Sequence, residues 1–480
     1  MVRLNGRFNQ AHVAGKTTAH RRTIWGIRQP LLSQAVPPKP VAPVKFYGTL
    51  TFSIRANGRG KNILCALFMA ASNPRICCLK ALQRWESSRE FADGVLHRTL
   101  EQSDLPQSNR AFVTETFYGV IRNRTLLDFV IRRFRANKLD AATRQVLRLG
   151  LYQLYKMRIP AHAAVYETVN IAGPARTLVN AILRKSIAEK EAVLEELENA
   201  PVHVRYSHPE FLYLKWQGAW GEKEATQLCA WNNQPAKIYV RANELRVTPG
   251  ELLHSVPGAK PLPDREDCLE VEHLPSEWIS AGVVYVQDPS TLIPCELLAP
   301  KPGERVLDAC AAPGGKACYL AQLMQNQGQL FAGDYEPLRL SRLQQNLVRL
   351  GVTNTEVILV DWLRSPLPAG SPTFDAILVD APCSNTGVIR RRTDVRWRLT
   401  PDDFRRMSHL QLRMVENIVP YLRRGGRMVY STCSIEPEEN EQVVSEILNQ
   451  FPQLACLESR KVGPLQNNMD GAFAALFQND

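Results

Sequence analysis

Residues 305–325, with the sequence RVLDACAAPGGKACYLAQLMQ, indicate the fold of the carboxyl half of the chain. It begins with a short apolar strand, predicted over 305–308, and it ends with a helix predicted over 317–325. Between them lie small residues and two consecutive glycines, Gly314 and Gly315, which let the backbone approach a ligand closely. The pattern is typical of a ligand-binding turn. Taken alone, a glycine-containing turn that binds nothing is the alternative.

Around this turn, a pattern of strand, loop and helix repeats from about residue 288 onward. Such alternation predicts a parallel sheet with helices between its strands, a Rossmann-like α/β domain. Thr400 and Pro401 predict the start of one helix, with the threonine as its cap. The strands are predicted at 305–308, 329–333, 356–360, 374–380 and 427–431.

Three aspartates lie at the ends of predicted strands, at the carboxyl edge of this sheet, where ligands bind in open α/β folds. Asp334 comes 19 residues after Gly315, and its carboxylate suits the ribose hydroxyls of a nucleoside ligand. Asp361 and Asp380 add two more carboxylates at the same edge. The turn matches neither the phosphate-loop pattern nor Gly-x-Gly-x-x-Gly, so nucleoside triphosphates and dinucleotides are disfavoured as ligands.

Two cysteines, Cys383 and Cys433, follow two of these strands in the segments DAPCS and STCS. A cytosine ring accepts a methyl group at carbon 5 only after activation, for example by addition of a thiolate to carbon 6. An acid near ring nitrogen 3 would stabilise the developing charge, and a base must then remove the carbon-5 proton. A single cysteine is usually a small buried hydrophobe. Two thiols at strand ends beside one cofactor turn favour covalent catalysis instead.

The length of 480 residues suggests about three folded units. Apolar residues at helical spacing predict an all-α domain over 69–200, whose charged end at 188–199 is interpreted as a linker. A small α+β module is predicted over 201–287, and the α/β domain fills 288–480. Within the module we predict a helix at 222–231 and strands at 237–241 and 283–286.

Cysteine spacing and hydropathy narrow the class of protein. The eleven cysteines lack metal-ligand spacing, so no metal site is predicted, and a reducing compartment is expected. No apolar stretch is long enough to cross a bilayer, so we expect a cytoplasmic protein without membrane attachment.

The charge is concentrated in the first 68 residues, which contain eleven lysines and arginines and no acid. Subtracting these from the net charge of +12 leaves +1 for residues 69–480, so an RNA surface there must be a local patch. Three interpretations of residues 1–68 stay open. They are an organellar transit peptide, a flexible RNA-binding arm, or residues upstream of a true translation start at Met69.

Taken together, the motifs resemble the RsmB/Sun family of cytosine-5 RNA methyltransferases, over residues 70–480. In the α/β domain they are DACAAPGGK at 308–316, DAPCS at 380–384, TGVIRR at 386–391, YSTCS at 430–434, PEEN at 437–440 and DGAF at 470–473. The helical part resembles the family's NusB-like RNA-binding domain through 150–154, 158–162, 167–169 and 179–184. The module resembles the family's small RNA-binding domain through 206–209, Trp216 and 241–243.

This resemblance implies roles for individual residues. Cys433 would be the nucleophile on carbon 6, Cys383 would assist release of the methylated base, and Asp380 would bind the cytosine edge at nitrogen 3. Lys316 would orient Asp380. S-adenosylmethionine would be held by Cys310, Ala311, Ala312, Pro313, Gly314, Gly315, Lys316, Asp334, Asp361 and Asp380.

The resemblance also implies the partner and leaves alternatives. It points to small-subunit (16S) rRNA, free or in an early assembly intermediate. A monomer is expected by default and not from the resemblance. Two features depart from the family pattern: Ala317 stands where a threonine is usual, and the segment 170–178 is short. The alternatives are the same chemistry on tRNA, a non-catalytic RNA-binding assembly factor, and a small-molecule or protein methyltransferase. The last would need neither two thiols nor an RNA module.

Overall fold

The computed structural model describes residues 73–255, 258–263, 265–364, 366–368 and 370–480. The interpretations of residues 1–68 and of a start at Met69 lie outside the described residues. Among the helices of the described part, none combines the length and the apolar character needed to span a membrane.

The helical region packs its amphipathic helices around one core that includes Phe117, Leu147 and Leu183. The segment 188–199 is not a free linker, because Val193 and Leu197 are buried in this core. The helices are α1 (Pro74–Ser87), α2 (Ala92–Glu101), α3 (Gln107–Arg122), α4 (Arg124–Phe134), α5 (Ala141–Lys156), α6 (Ala161–Asn170), α7 (Arg176–Ala188) and α8 (Lys190–Glu198).

The small module combines short helices with an antiparallel sheet of order β2-β3-β1-β4. The predicted helix at 222–231 and the strands near 237–241 and 283–286 are confirmed. Strands β2 and β3 were not predicted. The elements are α9 (Val202–Arg205), α10 (Glu210–Trp220), α11 (Glu222–Trp231), β1 (Ile238–Ala242), α12 (Pro249–Ser255), β2 (Lys260–Leu262), β3 (Arg265–Val271), α13 (Ser276–Ser280) and β4 (Val284–Val286).

The α/β part contains a sheet of order β10-β11-β9-β8-β5-β6-β7 in the described residues. Strands β5 to β9 are parallel and match the five predicted strands, whereas β10 and β11 pair antiparallel at one edge. The strands are β5 (Arg305–Asp308), β6 (Gln329–Asp334), β7 (Thr355–Leu359), β8 (Phe374–Asp380), β9 (Leu422–Thr432), β10 (Leu454–Val462) and β11 (Ala472–Asn479).

Helices cover both faces of this sheet, so its central strands are fully buried. The helix after β5 begins at Gly315, two residues before the predicted start. The Thr400 cap is wrong: the helix begins at Asp403, and Thr400 instead donates its hydroxyl to the Asp403 carboxylate at 2.8 Å. The helices are α14 (Ile293–Leu298), α15 (Gly315–Leu323), α16 (Pro337–Leu350), α17 (Asp403–Ile418), α18 (Glu441–Gln450) and α19 (Pro464–Asn467).

Residues 385–400, here called the docking segment, join the three parts of the molecule. Arg396 is fully buried and donates hydrogen bonds to the carbonyls of Ser207 and Asn232, both at 3.1 Å. Trp397 donates to the Ile121 carbonyl of the helical region at 2.8 Å. Because the docking segment starts two residues after Cys383, it anchors the helical region and the module close to this cysteine.

Candidate active site

The turn at residues 309–314, here called the cofactor turn, is anchored to the strands on both sides of β5. The Ala309 N–H donates to the Leu378 carbonyl in β8 at 2.9 Å, and the Ala311 N–H donates to the Gly333 carbonyl in β6 at 2.8 Å. Gly314 has φ 111°, and a Cβ on it would lie 2.8 Å from Leu343. Only glycine fits there without strain.

Helix α16 supplies two further anchors that the sequence patterns did not indicate. Arg339 donates to the Ala312 carbonyl at 2.6 Å and forms an ion pair with Asp334 at 3.0 Å. Asn346 donates to the Pro313 carbonyl at 2.9 Å. Arg339 therefore links the aspartate at the end of β6 to the cofactor turn, and both predicted cofactor groups lie side by side.

Asp361 lies further out, two residues beyond β7. Its carboxylate accepts a hydrogen bond from the Leu363 N–H of its own loop at 3.0 Å. The neighbouring Trp362 donates its indole N–H to the Ala309 carbonyl at 2.7 Å. The loop of Asp361 is thus fixed to the cofactor turn through the tryptophan.

Asp308 is the last residue of β5. It belongs to the DACAAPGGK motif, but no sequence pattern indicated that its side chain forms part of the site. Its side chain is fully buried, and within the described residues neither carboxylate oxygen has a hydrogen-bond partner. Burial, reinforced by the nearby Asp380 carboxylate, raises the pKa of Asp308 to about 7. A buried carboxyl without a partner beside a glycine turn indicates a ligand that supplies a donor or a positive charge.

The two predicted cysteines meet at the carboxyl edge. The Sγ atoms of Cys383 and Cys433 are 3.2 Å apart, and the Cys433 thiol also lies 3.3 Å from Asn385 Oδ1. The hydrogen bond to Cys433 and burial both raise the pKa of the Cys383 thiol well above its usual value. Cys383 is therefore held as a neutral thiol at neutral pH, with Cys433 as its hydrogen-bond partner.

Asp380 is held in place beside the two thiols. Lys316 Nζ lies 2.8 Å from Asp380 Oδ2, and the Ser431 hydroxyl donates to Asp380 Oδ1 at 3.0 Å. Burial lowers the pKa of Lys316, but the ion pair with Asp380 outweighs this effect, and the net pKa is raised. Lys316 thus stays charged. Strands β8 and β9 are paired up to Asp380 and Ser431, so the two cysteines that follow these strands lie at the same edge of the sheet. Lys316 is brought to this edge by its ion pair with Asp380.

Glu439 joins the two loops that carry the cysteines. It accepts hydrogen bonds from the Ser384 N–H at 2.8 Å, from the Ser384 hydroxyl, and from the Ser434 hydroxyl at 2.8 Å. Gln411 adds a fourth hydrogen bond at 3.0 Å. Ser384 and Ser434 each directly follow a cysteine, so one buried carboxyl sets the separation of the thiols. The PEEN motif contained this residue, but its spacing alone gave no role.

Comparison with known proteins assigns the family. Residues 295–478 match the family described as 16S rRNA methyltransferase RsmB/F, residues 72–188 match the NusB family, and residues 208–259 match the RsmF/B-like ferredoxin-like domain. The probable ribosomal RNA small subunit methyltransferase B of Bacillus subtilis is 33% identical, over 80% of this chain and 90% of the relative. The chain belongs to the RsmB/F family of 16S rRNA methyltransferases.

Other relatives agree with this RsmB/F assignment. The ribosomal RNA small subunit methyltransferase B of Pseudomonas syringae pv. tomato is 35% identical, over 78% of this chain and 86% of the relative. A solved methyltransferase homolog protein from Pyrococcus horikoshii is 29% identical with a TM-score of 0.52, covering 58% of this chain and 98% of that one. The predicted membership in the RsmB/Sun family is confirmed, and so is the predicted fold class of NusB-like, small α+β and Rossmann-like parts.

The RsmB/F family is one of S-adenosylmethionine-dependent methyltransferases, and the residues present fit this cofactor. The unpartnered carboxyl of Asp308 suits a cationic amino-acid group, and Asp334 offers a carboxylate for ribose hydroxyls. The Gly315 backbone lies so close to Tyr285 that a Cβ would come within 2.9 Å of that ring. The start of α15, directly after the cofactor turn, is therefore packed against the module.

Proposed function

We propose that this RsmB/F family member methylates carbon 5 of one cytosine in small-subunit (16S) rRNA, with Cys433 as its covalent nucleophile. The observation that carries the proposal is the pair of thiols 3.2 Å apart beside an Asp380 carboxylate held by Lys316. A methyltransferase acting on nitrogen or oxygen needs no thiol, whereas carbon 5 of a pyrimidine needs nucleophilic activation.

In the proposed reaction, the Cys433 thiolate adds to carbon 6 and forms a C–S bond, which gives carbon 5 the electron density of a nucleophile. Asp380, fixed by Lys316 and Ser431, takes up a proton when the base binds and donates it at nitrogen 3, which offsets the negative charge that develops on the ring; the proton returns to Asp380 when the C–S bond breaks. Bound S-adenosylmethionine supplies an electrophilic methyl group. A base then removes the carbon-5 proton, the C–S bond breaks, and the thiolate of Cys433 is restored. Cys383 assists this last release.

The residues proposed to hold the cofactor are those of the cofactor turn and its neighbouring acids. Backbone groups from Cys310 to Gly315 form the surface, Asp334 binds ribose hydroxyls, and Asp361 borders the base. Asp380 and Lys316 form the boundary of the cofactor site on the side of the thiols. Asp308 is added to this set because its buried carboxyl lacks a partner in the described residues.

Small-subunit rRNA is the proposed substrate, free or in an early assembly intermediate. The named relatives are small-subunit rRNA methyltransferases, and the helical region matches the NusB family. We propose three domains, at 69–200, 201–287 and 288–480, of which the first two bind RNA. A monomer in the cytoplasm is proposed.

Two cysteine variants test the assignment of the thiols. Cys433→Ala should abolish methylation but leave cofactor and RNA binding intact. Cys383→Ala should accumulate a covalent protein–RNA adduct on denaturing gels, because release is impaired. Cys456→Ala on the edge strand β10 is the matched control and should behave as wild type. Without an adduct for Cys383→Ala, or with full activity in Cys433→Ala, the roles of the thiols would be wrong.

A further inference from the structure

We infer that the exposed face of helix α17 binds the RNA backbone next to the target cytosine. Arg405, His409 and Arg413 follow one another at intervals of four residues and form what is here called the basic stripe. The inference rests on the proposed function for the identity of the RNA, and it names the surface that holds the strand. At 1.5 Å rise per residue, the stripe extends about 12 Å along the helix.

The basic stripe lines a surface depression of about 480 Å³, together with Arg406, Leu410, Asp402 and Leu363. Within the described residues, no carboxylate lies within ion-pair distance of Arg413. Arg405 lies 3.6 Å from Asp402, but 76% and 90% of these two side chains are exposed, so the pair is weak. No acid interrupts the stripe between residues 405 and 413.

The depression opens beside the site. Strands β8 and β9 are parallel, so α17, which connects them, starts at the carboxyl edge where the thiols lie. On its inner face Gln411 donates to the Pro382 carbonyl, one residue before Cys383, at 3.0 Å. Because a helix is about 10 Å across, the outer face lies roughly that far from the Cys383 loop. Nucleotides flanking the target can reach it.

Charge complementarity favours an RNA strand over other occupants. Residues 69–480 carry a net charge of only +1, so the run from Arg405 to Arg413, which contains three arginines and no acid, is a local feature rather than part of a basic surface. The length of the basic stripe suits successive phosphates rather than a single small anion. Each exposed guanidinium group can bind two oxygens of one phosphate. The apolar side chains of Leu363 and Leu410 form part of the same depression and offer contact to a sugar or base.

The test compares two double variants of equal charge change in the full chain. R405Q/R413Q removes two cations of the basic stripe, and R423Q/R424Q removes two exposed arginines at the start of β9, the opposite edge of the sheet. Binding to an in-vitro transcript of small-subunit rRNA is measured without cofactor over a range of salt concentrations. R405Q/R413Q should weaken binding about tenfold. It should also lower the slope of the logarithm of the binding constant against the logarithm of the salt concentration by about 1.4, because each of the two lost phosphate contacts on a single strand contributes about 0.7. R423Q/R424Q should bind as wild type.

Equal losses in both variants, or no loss in either, would overturn the inference. Normal binding to the transcript with reduced methylation of ribosomal assembly intermediates would also overturn it, in favour of a protein partner. Because the readout requires no turnover, it is independent of the thiol chemistry. A failure of the proposed function would appear instead as wild-type protein that binds RNA and forms no 5-methylcytosine.

Discussion

Replacing Glu439 by glutamine changes the carboxyl that ties the two cysteine loops together while keeping its size. One carboxylate oxygen accepts from the Ser384 N–H and from Gln411, and the other accepts from the hydroxyls of Ser384 and Ser434. An amide keeps one acceptor oxygen. The hydroxyls can rotate to accept from the new NH₂ group, but the N–H donors cannot.

The magnitude follows from those contacts. Hydrogen bonds to a charged group contribute about 1.5–3 kcal/mol each, against about 0.5–1.5 kcal/mol for neutral ones. Four such bonds would lose roughly 4 kcal/mol, but burial raises the pKa of Glu439, so relief of its desolvation offsets part of that loss. We expect a loss of about 2 kcal/mol in unfolding free energy. We also expect turnover to fall by about 10- to 100-fold, because small displacements of reacting groups are costly.

The assay measures urea unfolding and single-turnover methylation of the rRNA transcript, with E438Q as control. Glu438 is the neighbouring acid, and its ion pair is with Lys215 rather than with a cysteine loop. E439Q should slow adduct formation and release without changing cofactor affinity. If E439Q unfolded and turned over like E438Q, the assignment of Glu439 to the thiol spacing would be refuted.

Two further outcomes follow from the cofactor side of the site. Gly314→Ala places a Cβ 2.8 Å from Leu343 at a backbone φ of 111°, which strains the cofactor turn. Calorimetry should therefore show cofactor binding weakened at least about tenfold, or about 1.4 kcal/mol. An unchanged affinity would contradict this expectation. Burial and the Asp380 charge raise the pKa of Asp308 to about 7, so its contribution to stability is complete below about pH 4 and is lost as the pH rises through 7. Without cofactor, wild type should lose about 3 kcal/mol of unfolding free energy between pH 5 and 8 relative to Asp308→Asn, and parallel pH profiles in urea unfolding would refute the assignment.

The central strands were predictable because buried parallel strands are short apolar runs between loops. Strand β10, with the sequence LACLESRKV, was missed because it is an edge strand whose Glu458, Arg460 and Lys461 point to solvent. Strand β3 lies between β2 and β1, and it was missed because it begins with the charged sequence Arg-Glu-Asp. The charged helix α8 was misinterpreted as a linker, because only Val193 and Leu197 indicate its buried face.

The candidate site was predictable where chemistry lies in short motifs at strand ends. Asp380 ends a predicted strand, Cys383 and Cys433 each follow one, and adjacent parallel strands bring their ends together. The supports could not be predicted, because they depend on contacts between distant residues. Arg339 reaches back 27 residues to Ala312, and Glu439 reaches Ser384 across 55 residues. Asp308 was included in a strand, and only the fold shows that its carboxyl is buried without a partner.

Bisulfite sequencing of RNA shows whether this protein methylates a cytosine of small-subunit rRNA and whether Cys433 is needed for it. Small-subunit rRNA would be compared from cells that lack this gene and carry either the wild-type chain or Cys433→Ala. We expect one 5-methylcytosine of small-subunit rRNA to disappear with the gene, to return with the wild-type chain and to stay absent with Cys433→Ala. A mark that returns with Cys433→Ala would contradict the covalent role of this cysteine, and loss of a tRNA mark alone would contradict the rRNA substrate.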